Sequence, residues 1–176
     1  MGRRSKVIMY PTIPLNDEQK ATHAIRLGYR AREIARYGID SSSASDALAG
    51  TELGRMRLAR VISQAQYWAG EHWSLVCHRH SAIMGYRLAR PRGFNWEVGS
   101  RTTPEADLWV VSSVRDQWNR YHAALKKVNR LRPGVAQAVF ALCINDLPQP
   151  ERLVIYGLET LLSVGDGGIS GPRRSL

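Results

Sequence analysis

The chain has 176 residues, a formal net charge of +10 and an isoelectric point of about 10.2. That length suits one compact domain, which buries about 70% of its unfolded surface and needs no metal or disulfide to fold. No run approaches the ~18 apolar residues that span a bilayer, and no signal-peptide pattern follows the charged start at residues 1–6, so a cytoplasmic protein with no membrane role is expected.

The positive charge lies in the first three quarters. Residues 1–60 hold 11 basic and 6 acidic side chains, and residues 133–176 hold 3 and 4. Arginine outnumbers lysine, which suits bidentate phosphate contacts; codon bias in a GC-rich genome explains the same excess. An acidic partner is expected, nucleic acid first and duplex DNA within that class. Cys77 and Cys143 sit among apolar residues and read as buried free thiols in a reducing compartment.

In chain order, a basic arm at residues 2–6 leads into an extended segment at 7–14, where Pro11 and Pro14 exclude a helix. Asn16 or Asp17 caps the first helix, which runs to about Tyr37. Ile25, Leu27, Ala31, Ile34 and Ala35 form its ragged apolar face, and Gly38 stops it. Ser41–Ser45 reads as a loop, and Asp46 starts a second helix over residues 47–59, weakened by Gly50 and Gly54.

Ser63 with Gln66 matches a capping box and opens a helix ending near Tyr86 or Leu88. Residues 88–103 form a long basic loop. Pro104 then sits at the first position of the clearest amphipathic helix, with Val110, Val114, Trp118, Tyr121, Leu125 and Val128 on one face. Pro133 and Pro150 start the last two helices, either side of a turn at residues 145–148. No strand alternation or internal repeat occurs. The expectation is an all-α bundle of about six helices in a single domain over residues 1–164, with a flexible tail at 165–176.

The hairpin around Ser63 has helix-turn-helix order. In that reading residues 53–59 support, 60–62 turn, and the helix from Ser63 reads DNA. Ser63, Gln64, Gln66 and Tyr67 lie at its reading end, where Gln can pair with adenine, while Arg55, Arg57 and Arg60 hold phosphates. The alternative is an ordinary capped hairpin, and the length of the second helix favours it. The hairpin at residues 133–163 offers Gln149, Glu151, Arg152 and Tyr156 in an acidic setting and reads as a packing or partner-binding element. In the 88–103 loop, Arg90 and Arg92 are further phosphate candidates, whereas Phe94 and Trp96 read better as anchors to the core than as base-stacking rings.

His72, Cys77, His78 and His80 share one helix. At ~100° per residue His72 and Cys77 diverge by about 140°, so a packed Cys77 with exposed histidines is expected and no metal site. No phosphate-binding, nucleotide-binding or nucleophile motif occurs and the acidic residues are scattered, so no cofactor is expected and a small enzyme ranks third.

Two stretches carry a resemblance. Asp46-Ala47-Leu48-Ala49-Gly50-Thr51-Glu52-Leu53-Gly54-Arg55, with Ile62-Ser63-Gln64-Ala65-Gln66-Tyr67-Trp68-Ala69-Gly70, resembles short prophage-associated proteins of alphaproteobacteria. Their ending is similar to residues 139–148 and 157–161 here, so the likeness spans about two thirds of the chain. The final helical piece also resembles the C-terminal region of gene-transfer-agent activators, which are transcription regulators. These likenesses imply a phage or prophage setting and carry over no functional residue. The leading expectation is therefore a DNA-associated regulatory protein of phage or prophage origin. The alternative is a phage assembly or packaging protein acting through protein contacts and oligomerisation, with the C-terminal helices as a partner surface.

Overall fold

A computed structural model describes residues 16–86, 88 and 104–166. The basic arm, the proline segment, Arg87, residues 89–103 and the tail beyond 166 lie outside them. The described residues are all-α: α1 (Asp17–Ala35), α2 (Glu52–Leu58), α3 (Gln64–Ile83), α4 (Pro104–Leu131), α5 (Val135–Cys143) and α6 (Glu151–Asp166), with 3-10 turns at Ser41–Ser45 and Ala47–Gly50. No described helix is long and apolar enough to cross a membrane.

Local chemistry sets most helix ends. Asn16 caps α1, and Gln19 closes a capping box with it. The Gly38 and Ile39 amides return to the Ala35 and Ile34 carbonyls, so Gly38 is the stop read from sequence. Ser63 and Gln66 form the expected box on α3. That helix ends earlier than expected, at Ile83, because Gly85 takes the left-handed conformation and the Gly85 and Tyr86 amides turn back to Ala82 and Ser81. The cap of α5 comes from the preceding helix: Asn129 Oδ1 accepts from the Gly134 and Ala136 amides at 3.0 and 3.1 Å.

The expected second helix over 47–59 is two elements. Asp46 caps the 3-10 turn Ala47–Gly50; Thr51 is extended (φ −127°, ψ 155°) and its hydroxyl accepts from the Gly54 amide to begin α2. Ser41–Ser45, expected as a loop, is itself a 3-10 turn capped by Asp40. Gly54 makes the fold-back possible. A Cβ there would sit 2.0 Å from the Leu48 carbonyl oxygen, so no side chain is tolerated where α2 lies on the turn before it.

The main core gathers Leu53, Met56, Trp73, Val76, Tyr121, Leu125, Val139, Leu142, Val154, Leu158 and Leu161 from α2 to α6. α3 runs through its centre and packs on α2, α4, α5 and α6. α1 stands apart: it packs on the two 3-10 turns through a small cluster of Ile34, Ala44 and Ala49. Residues 16–26 of α1 are exposed on every side. Ile25, grouped with the apolar face by sequence, is 75% exposed; the buried side follows Leu27, Arg30, Ala31, Ile34 and Tyr37. Val110 likewise projects to solvent, and the buried face of α4 begins at Val114.

A buried polar network joins these parts. Arg55 Nε and Nη2 donate to Glu52 Oε2 at 2.9 and 2.6 Å, and Nη1 donates to the Ala49 carbonyl at 3.1 Å. Glu52 is fully buried and Arg55 is 4% exposed. The Tyr37 hydroxyl donates to Glu52 Oε1, and the Glu52 amide donates to Asp146 Oδ1 at 2.5 Å. Burial, and then the hydrogen bond to Glu52, push the Tyr37 hydroxyl well above the phenol range. Every Glu52 oxygen is thus matched, the condition under which a buried pair is tolerated. Removing one partner leaves an uncompensated charge. Arg55→Ala should therefore lower the unfolding free energy by about 3 kcal/mol or more; a urea midpoint equal to wild type would contradict this network.

Candidate nucleic-acid interface

The α2–α3 hairpin is built from two complementary caps. At the end of α2 the Val61 amide bonds the Met56 carbonyl (3.0 Å) and the Arg60 amide bonds the Arg57 carbonyl (3.1 Å). This is a Schellman closure with Arg60 at the left-handed position, φ +60°. Three residues on, Ser63 and Gln66 open α3, whose first turn contains no acidic residue. The helix dipole and free amides at that end favour negative charge.

The predicted site residues do not share one surface. Arg57, Arg60 and Gln64 lie at or near the surface, and Arg57 Nε donates to Gln64 Oε1 at 2.9 Å, tying α2 to the start of α3. Ser63 and Gln66 spend their side-chain oxygens on the capping box, at 3.2 and 2.7 Å. Tyr67 is half-buried against the core; burial, then the Glu71 and Asp46 charges, push its hydroxyl up to about 12. Arg55 is a correction. It was expected to hold phosphate, but its guanidinium is committed inward to Glu52 and Ala49 and cannot reach one. Arg90 and Arg92 lie outside the described residues.

One surface residue escaped the sequence reading. Trp68 is 61% exposed and packs edge-to-face on Tyr67, with ring centroids 5.3 Å apart. It follows Gln64 by four residues, on the stripe opposite the buried Trp73, so the helical period alone points to it. The surface offered here is two arginines, an amide and an indole around the beginning of a capped helix.

The histidines of α3 are not all exposed, as had been expected. His72 is, and its Nδ1 lies 2.8 Å from the Tyr121 hydroxyl. His78 and His80 are buried. His80 stacks on Trp118 at 4.2 Å, and Trp118 stacks on His122 at 4.5 Å. Burial, then Arg115 and His122, lower the His80 pKa. Cys77 is buried as expected, and burial raises its thiol. Among the described residues no group of three or more His, Cys, Asp or Glu is placed to hold a metal. Arg132, in the turn between α4 and α5, lies 3.6 Å over the ring of Tyr156 on α6.

Two of the scattered acidic residues, Glu71 and Asp146, line one small cavity. With Thr51, Leu53, Ser74, Leu142 and Cys143 they enclose about 10 Å³. That is room for about one water molecule and too little for a substrate. Burial pushes Glu71 up to about 7 and also raises Asp146, partly offset by the Glu52 amide. The chain matches no family model, no curated protein and no solved structure.

Two outcomes follow. Left-handed Arg60 is strained in a way glycine is not, so Arg60→Gly should stabilise the fold by roughly 0.5–1 kcal/mol in urea titration. A loss of stability would mean that the Arg60 side chain holds the turn. For Glu71, the folded carboxyl keeps its proton to higher pH than the unfolded one. Its ionisation therefore removes stability as pH rises from about 4.5 to about 7. Glu71→Gln should exceed wild type by roughly 1 kcal/mol at pH 8, after allowing for solvent screening. The gap should close below about pH 4.5; a gap independent of pH would show that Glu71 is not the titrating group.

Proposed function

We propose that this chain is a DNA-associated regulatory protein of phage or prophage origin, cytoplasmic, that engages duplex DNA through the α2–α3 hairpin. One observation carries the reading. A short helix, a Schellman-closed turn and a capped helix follow one another, and Arg57, Arg60, Gln64 and Trp68 are accessible around the start of α3. That is the helix order and the end from which helix-turn-helix proteins read the major groove. The two arginines supply phosphate contacts, Gln64 and Trp68 face the base edges, and Ser63 and Gln66 hold the helix end in shape. The net charge of +10 supports the same reading.

A second reading, a phage assembly or packaging protein, is favoured by a different surface. Leu108 and Trp109 on α4 are 74% and 73% exposed, a pair suited to protein contacts.

Fluorescence anisotropy against random-sequence duplex and single-stranded DNA, over a salt series, separates them. The first reading predicts duplex binding whose affinity falls steeply with salt. The triple variant Arg57→Ala, Arg60→Ala, Gln64→Ala should weaken it about tenfold or more and flatten the log–log salt slope by about 2, for two lost phosphate contacts. Unchanged affinity would remove the hairpin as the site. No binding at low salt would leave the second reading standing.

A further inference from the structure

The face of α1 that the fold does not use has an order of its own. At ~100° per residue, Glu18, Thr22, Ile25, Tyr29, Arg32 and Arg36 lie within about 60° of the line opposite the buried Ile34. Their spacing of 4, 3, 4, 3, 4 is that of a/d positions along a helix, with the apolar Ile25 and Tyr29 at the two central ones. All six are exposed; Ile25 is 75% and Tyr29 53% accessible. The middle of the stripe is apolar, its N-terminal end is acidic and its C-terminal end is basic. Residues 17–26 of this 19-residue helix are exposed throughout, so that part gains little from packing within the chain.

We infer that this stripe is an interaction surface for a second copy of the chain, pairing α1 with α1 in antiparallel sense about a twofold axis near Leu27. Charge selects that occupant and that direction. Antiparallel pairing sets Ile25 against the Tyr29 position of the other copy and the Glu18 end against the Arg32 and Arg36 end, twice, by symmetry, with Arg36 also bonded to Glu33 of its own chain at 2.9 Å. Parallel pairing would set Glu18 on Glu18 and Arg36 on Arg36. An acidic partner would meet the basic end but be repelled by Glu18, and a basic one the reverse; the chain itself complements both ends. The surface is separate from the α2–α3 hairpin and stands whether or not the chain binds DNA.

Sedimentation velocity of the full chain over a concentration series tests it. A reversible monomer–dimer equilibrium is expected. Ile25→Asp and Tyr29→Asp should each raise the dissociation constant about tenfold or more; at concentrations where both proteins are monomers, circular dichroism and thermal midpoint should match wild type, because both side chains already face solvent. Glu18→Arg should weaken the dimer severalfold at low salt and less at high salt, where the charged ends are screened. Direction is read by cross-linking, since Cys77 and Cys143 are buried and an introduced surface cysteine reacts alone. Mixed Ile25→Cys and Tyr29→Cys chains should oxidise to the 25–29 product faster than either variant forms its same-residue dimer. A monomer at every concentration, a dimer indifferent to Ile25→Asp, or dominant same-residue products would each overturn the inference.

Discussion

Glu52 and Arg55 hold the centre of the polar structure because neither can be buried alone. A lone carboxylate or guanidinium in a protein interior costs several kcal/mol, and here each is matched within 2.9 Å by the other. The pair sits one helical turn apart on α2, so its geometry is set locally. Its remaining side-chain capacity is filled by Tyr37 after α1 and by the Ala49 carbonyl on the 3-10 turn, and the Glu52 backbone amide is held by Asp146 between α5 and α6. Loss of the pair's side chains would therefore loosen the Tyr37 and Ala49 connections together, while the Asp146 bond, made to the Glu52 backbone amide, would remain. It also explains why α2 lies so close to the turn before it, with Gly54 against the Leu48 carbonyl.

That network divides the arginines by role. Arg55 is structural. Arg36 pairs with Glu33 on the surface, and Arg30 lies along Gly50. Arg57 and Arg60 remain near the surface next to the start of α3. The number of arginines overstates the basic surface, since Arg55 is turned inward; it is buried with Glu52 as a neutral pair, so the net charge of +10 is carried by the other side chains. The charge that remains near the hairpin is paired with a capped helix end, and both act in the same direction on an anion.

α1 and α3 show opposite uses of a long helix. α3 is surrounded, and its outward stripe is reduced to residues such as Gln64, Trp68 and Arg79. α1 is anchored only at its C-terminal end, and its outward stripe keeps 4, 3 spacing with Ile25 and Tyr29 at its centre. A helix whose packing ends halfway has surface to share, which is why its pattern points to a partner rather than to the core.

The helices, and several of their ends, were legible from sequence because the signals are local. Ser63 with Gln66, Gly38, the proline before α6 and the period of α4 from Val114 onward act over four residues or fewer. The α2–α3 hairpin was legible for the same reason, and so was Trp68 in principle, from its spacing to Gln64. Tertiary structure alone decided the burial of Arg55, the extended break at Thr51, the outward turn of Ile25 and the meeting of Glu71 with Asp146. Several of these depend on groups distant in sequence: the Glu52 amide reaches Asp146 across 94 positions. A local pattern states which faces a helix has; only the assembled chain states which of them is covered.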